Sequence, residues 1–129
     1  MPLKMTKFKA AAVSAAPVYL NLEATVHKVC SLIEEAADMG ARLIAFPETF
    51  VPGYPHWYHF LRVDQAHPFH IRLVKNAVEV PSEATDQICR AAKKAHAIVI
   101  VGINERDPVN WGTLYNTNLI IDHNGGILG

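Results

Sequence analysis

One carboxylate stands apart by its setting. Glu48 follows the run Leu43-Ile44-Ala45-Phe46, which has no polar break, and Pro47 separates it from that run. An unbroken apolar run of this length reads as a strand covered on both faces. Pro47 has no N–H to donate, so it ends the ladder there. Pro52-Gly53 and Pro55 then turn the chain and stiffen it. The acid is thereby placed at the C-terminal end of a strand, which is where open α/β sheets bind ligands. Around it stand Phe46, Phe50, Tyr54, Trp57 and Tyr58. Aromatic walls that exclude water raise a carboxylate above its ordinary value of about 4.3, which suits a general base. A glutamate after a strand also reads simply as a solvated residue, and residue types alone leave both readings open.

Other groups capable of chemistry carry weaker patterns. His56-x-x-His59 and His67-x-x-His70 have the i, i+3 spacing of helical metal ligands, with Asp64 between the pairs. No cysteine or paired carboxylate completes a ligand set, so they read as polar loop histidines. Neither a metal nor an organic cofactor is expected. The two cysteines, Cys30 and Cys89, fall in separate helical patterns without metal spacing, and no base lies in sequence near Cys89. This usage suits a reducing compartment, and a cytoplasmic location is expected.

The charge balance, 12 Lys+Arg against 12 Asp+Glu without a basic run, gives a nucleic-acid partner no electrostatic footing. No apolar run approaches the roughly 20 residues of a membrane span. Lys4, Lys7 and Lys9 ahead of Ala10–Ala16 imitate a secretory signal. That stretch is alanine-rich rather than leucine-rich and is cut by Pro17, so a first core strand is the better reading.

The elements that must position Glu48 follow from periodicity. Residues 1–6 are expected to form a loose tail, and 7–129 a single domain. Phe8–Ser14 reads as the first strand. Asn21 is a good N-cap, and Leu22, Val26, Val29, Ile33 and Ala36 then recur at helical spacing, with Gly40 closing the helix. Strand, helix and the Leu43–Phe46 strand make a parallel βαβ unit. In the aromatic stretch that follows, one short helix is expected over Trp57–Val63. Another is expected over about Phe69–Val78, with Phe69, Leu73, Val74 and Ala77 inward. Ser82 caps a third main helix, whose stripe is Ala84, Ile88, Ala91, Ala92 and Ala95. Ala97–Ile103 and Leu114–Ile121 read as strands three and four around an Asp107–Gly112 loop. Asp122-His123-Asn124-Gly125-Gly126 reads as a hairpin turn. Only Ile127-Leu128-Gly129 remain for the return strand, which suggests a chain truncated at its C-terminal end.

Phe46-Pro47-Glu48-Thr49-Phe50 followed by Pro52-Gly53-Tyr54-Pro55 resembles the first catalytic motif of the nitrilase branch of the carbon–nitrogen hydrolases. The similarity runs from about Lys7 to Gly129. It includes Lys75–Pro81, Val101–Asp107 and Leu114–Thr117. The resemblance implies an α/β fold, the first half of a four-layer α-β-β-α sandwich. It also implies a Glu-Lys-Cys mechanism without cofactor, acting on a small-molecule nitrile, in a protein that forms homo-oligomers. Glu48 matches the glutamate. Tyr54 is expected to bond to the base or to line the pocket, with Trp57 also in the pocket wall. The lysine would follow the turn at Gly125–Gly129, and the cysteine would lie further on, since neither Cys30 nor Cys89 has its context. Tyr115 and Asn116 match a family motif too, and read as structural strand residues.

With one catalytic position of three present, the 129-residue chain is expected to be inactive alone. An amidase or cyanide-degrading relative, or a non-catalytic fragment that binds a complementary chain, are the alternatives.

Overall fold

The computed structural model describes residues 6–129, in which one four-stranded sheet carries two helices on one face. The expected tail falls outside the described residues except for Thr6. The strands are β1 (Lys9–Ala12), β2 (Ala41–Ala45), β3 (Ile98–Arg106) and β4 (Leu114–Ile121). The helices are α1 (Leu22–Asp38), α2 (Val63–Asn76) and α3 (Glu83–Ala95). The sheet order is β1-β2-β3-β4, parallel across the first three strands and antiparallel between β3 and β4.

Helix α1 starts where expected. The Asn21 side chain accepts a hydrogen bond from the Ala24 N–H at 3.0 Å, and Gly40 turns out of the last turn at φ +90°. Its stripe Val26, Val29, Ile33 and Ala36 is buried. In α3 the Ser82 N–H donates to Thr85 Oγ1 at 2.8 Å, and Ile88, Ala91 and Ala92 turn inward. These residues pack over Ile44, Val99, Val101, Ile103, Leu119 and Ile121, which form the buried face of the sheet. Lys94 of α3 pairs with Glu34 of α1 at 2.6 Å, an exposed pair that contributes little.

Cross-strand register fixes the other face. Ala10, Leu43 and Ile98 lie in one row, and Ala12, Ala45, Ile100 and Ile120 in the next. None of these seven is buried, and Ile98 is 37% exposed. An apolar sheet face without a covering layer is what the first half of a sandwich would present.

The segment between β2 and α3 departs from expectation. The short helix over Trp57–Val63 is only a 3₁₀ turn, His56–His59. The next helix begins at Val63, six residues before the expected start, and encloses Pro68. Gln65 explains the early start, because its Oε1 accepts from the Arg62 N–H at 3.2 Å and closes the first turn. Pro68 stands just past that turn, where its missing N–H removes a single helical bond. Leu73 and Ala77 are buried as expected, whereas Phe69 is 42% exposed and stacks on Trp57. The expected hairpin turn forms. Asp122 Oδ1 accepts from the Asn124 and Gly126 N–H groups, and Ile127 bridges back to Ile121.

Candidate active site

Strand β3 is the platform on which Glu48 is held. The Phe46 N–H donates to Ile100 O at 2.8 Å, continuing the ladder of β2 one residue past its end. Pairing stops at Pro47 and resumes at Val51, whose N–H donates to Gly102 O at 3.1 Å. Pro47, Glu48 and Thr49 are thus lifted out of the sheet across Gly102. The fit is close: a Cβ placed on Gly102 would lie 2.3 Å from Pro47 O and 2.8 Å from Glu48 Cα. A glycine inside an otherwise β-branched run marks such an approach of two backbones, and that signal was there to be read.

Thr49 completes the ledge at a cost. It stands at φ +44°, and its buried Oγ1 has no hydrogen-bond partner among the described residues. Strain of this kind persists where surrounding structure dictates the backbone. Asn104, two residues beyond Gly102 on β3, supplies part of that structure. It is buried, its backbone N–H donates to Val51 O, and its Nδ2 donates to Gly53 O at 3.0 Å. The turn that carries Tyr54 is strapped down by these bonds.

The carboxylate itself is not walled off as expected. Glu48 is exposed. Phe46 and Phe50 pack against each other with centroids 5.4 Å apart and are buried, while Tyr58 is 52% exposed. What holds Glu48 is a strand residue read as merely structural: Asn116 Nδ2 donates to Glu48 Oε1 at 2.5 Å. Asn116 lies opposite Asn104 in the β3–β4 register, so the antiparallel hairpin delivers it to the acid.

Tyr54 and Glu48 together divide two clefts. One, of about 470 Å³, is lined mainly by Ala15, Ala16, Pro17, Tyr19 and Phe50. The other, of about 420 Å³, is more polar and includes Thr49, Tyr58, His70, Asn104, Tyr115 and Asn116. Tyr19 was not singled out from its residue type. Its hydroxyl donates to Tyr54 O at 2.6 Å, and partial burial pushes its phenol above the usual tyrosine range, so it remains a donor.

Trp57, expected in the pocket wall, lines neither cleft. It is buried with Leu20, Ala66 and Leu73, and supports Tyr19 edge-on at 6.1 Å. A large aromatic two residues past a turn proline suits a wall or a buttress equally, and here it is buried against Ala66 and Leu73 of α2.

The histidines are dispersed. His59 stacks on Tyr54 and His70 Nδ1 is bonded to the Tyr58 hydroxyl. Among the described residues no three of His, Cys, Asp or Glu gather as metal ligands. Cys30 and Cys89 lie against the helix core, where burial pushes both thiols up. Among these residues no helix is long and apolar enough to cross a membrane.

Comparison with known proteins gives a consistent result. Residues 9–129 match the carbon-nitrogen hydrolase family. A nitrilase of Bacillus sp. (strain OxB-1) is 43% identical over 123 residues, covering 95% of this chain and 35% of the relative. A cyanide hydratase of Leptosphaeria maculans is 39% identical over 128 residues, covering 99% of this chain and 35% of the relative. Among solved structures, an amidase from Nesterenkonia sp. AN1 in complex with acrylamide superposes with a TM-score of 0.65 at 14% identity. That match covers 100% of this chain and 44% of the amidase. The chain therefore spans about a third of the length of the curated relatives it matches.

Proposed function

The chain belongs to the carbon-nitrogen hydrolase family, and from that premise we propose that it is the amino-terminal part of a nitrilase-type enzyme converting nitriles to carboxylic acids and ammonia. The observation that carries this reading is the placement of Glu48. It stands on a strained ledge at the end of β2, bonded to Asn116 and open to two clefts. A carboxylate so held can take the proton of a thiol, and the thiolate attacks the nitrile carbon. Negative charge then builds on nitrogen and needs a cation beside it. Two waters add in turn, one to the thioimidate with loss of ammonia and one to the thioester with release of the acid and the thiol.

The thiol and the cation would come from further stretches of the full-length protein. The hairpin supports this for the cation. Ile127 and Leu128 pair antiparallel with Ile121 and Ile120. A strand continued along β4 runs back towards Asn116, so a lysine a few residues past Gly129 would arrive beside Glu48. The 129-residue chain alone holds the base without these partners and is expected to be inactive.

The test is ammonia and carboxylic acid release from aliphatic and aryl nitriles by the full-length protein, with the 129-residue chain as control. Absence of nitrile turnover by the full-length protein, or turnover by the short chain, overturns the reading. A cyanide-hydrating relative is a second reading, favoured by the cyanide hydratase match. Formamide as the product from cyanide, with no acid from organic nitriles, would select it.

A further inference from the structure

We infer that the cleft between the β1–α1 connection and the Glu48 loop receives the carbon substituent of the substrate, and that Ala16 and Tyr19 set the size it admits. This rests on the nitrile-hydrolysing reading of Glu48 and assigns a side of the molecule to each end of the substrate. The two clefts that meet at Glu48 differ in chemistry. The first is lined mostly by apolar groups, two alanines, Pro17, Pro47 and Phe50, with His56 beside them and Glu48 as its sole carboxylate. Its volume of about 470 Å³ falls within the ordinary range of small-ligand pockets. The second is mixed: Asn116, His70, Tyr58 and Tyr115 stand beside Leu73 and Leu114, so it offers more groups that can bind water and ammonia. An apolar substituent bound in the first cleft leaves its nitrile carbon at the Glu48 end, facing the polar side.

The wall of that cleft is rigid, which is what size selection requires. The Tyr19 hydroxyl is tied to Tyr54 O at 2.6 Å. Its ring meets Trp57 edge-on and lies directly over Gly53, where a Cβ would come within 2.4 Å of ring atoms. The backbone after it is pinned by the Leu20 N–H, which donates to Pro52 O at 2.9 Å. Ala16 faces the cleft and is exposed, whereas Ala15 also packs on the core. Ala16 is thus the position where volume can be added without disturbing packing. The substrate class that fits is a nitrile with an aliphatic or aryl substituent rather than a charged one.

The experiment uses the full-length protein and compares benzonitrile with acetonitrile. Ala16→Leu is expected to lower the ratio of kcat/KM for benzonitrile over acetonitrile about tenfold, mostly through KM, the scale of a hydrophobic pocket changed by a few methylenes. Tyr19→Ala is expected to raise the same ratio. A binding arm keeps the two readings separable: benzonitrile affinity is measured by calorimetry in the Glu48→Gln background, with and without Ala16→Leu. Weakened benzonitrile binding supports the cleft even if no nitrile is turned over, and in that event only the catalytic reading falls. Ratios and affinity that Ala16→Leu leaves unchanged, in a folded protein that turns over nitriles, overturn the inference and leave the catalytic reading intact.

Discussion

Glu48 and Asn116 are 68 positions apart, and the hydrogen bond between them orients the acid. A hydrogen bond to a charged group is stronger than one between neutral groups, and here it fixes the direction of an exposed carboxylate. In the full-length protein Asn116→Leu is therefore expected to lower kcat/KM by about tenfold or more, with the secondary structure unchanged by circular dichroism; a rate equal to the parent's would remove Asn116 from the site. Tyr54→Phe keeps the ring that borders both clefts and the main-chain carbonyl that accepts from Tyr19, so a smaller loss is expected in the same assay. Glu48 and Tyr54 could be picked out from the chain because their motif is contiguous and punctuated by proline and glycine. Asn116 could not be given its role this way, because its meeting with Glu48 depends on how β4 registers on β3. Trp57 was misplaced for a related reason. Its residue type says that it is buried, but not under which element.

At the scale of elements, the Glu48 ledge depends on β3 having no side chain at residue 102. Gly102→Ala must push Pro47, Glu48 and Thr49 off the sheet, since a Cβ there meets main-chain atoms that have no alternative rotamer. Overpacking of this sort costs about 1–3 kcal/mol. A lower thermal midpoint together with lost activity is expected, and an unchanged melt would show that the ledge is not clamped on β3.

The β3–β4 loop beside the polar cleft makes a separate statement about pH. The N–H groups of Asn110 and Val109, and then the Tyr115 hydroxyl, hold the Asp107 carboxyl below its ordinary range. Its support is complete above the unfolded value of about 3.8 and is lost as pH falls through the lower folded value. Amide exchange at Val109 and Asn110 is expected to show protection that persists at pH 5 and fades in strong acid, and Asp107→Ala should abolish it throughout. Protection indifferent to pH and to the substitution would contradict this. The strands and the two core helices were readable because their periods are clean, and Leu114–Ile121 was bounded to the residue. The stretch from His56 to Pro81 was not, since its aromatics and histidines carry no clean period, and the start of α2 is set by the local Gln65 bond ahead of Pro68.

For the whole molecule, the sheet has one dressed face and one bare one. Helices α1 and α3 seal Ile44, Val99, Val101 and their neighbours, while the rows containing Leu43, Ala45, Ile98 and Ile100 remain open to solvent. Chains of this size are marginal when much of the sheet stays wet, because burial must offset the entropy of ordering. The 129-residue chain is expected to bind an apolar-surface dye and to self-associate. A sharp, two-state melt of a monomer without dye binding would contradict that. The α/β class could be read from the strand–helix–strand alternation, and the sandwich from the resemblance carried by the Glu48 motif. The uncovered face needed the register of all four strands together.

If Glu48 acts as the base of a C–N hydrolase, Glu48→Gln in the full-length protein removes that base and little else. Glutamine keeps the shape and can still face Asn116, but it cannot take a proton. A positioned base contributes about 10²–10⁴-fold. Ammonia release from a nitrile that the parent protein hydrolyses is expected to fall by at least that lower factor, with folding intact by circular dichroism. A folded Glu48→Gln protein that keeps near-parental rate would mean that Glu48 is only a solvated carboxylate at the end of a strand.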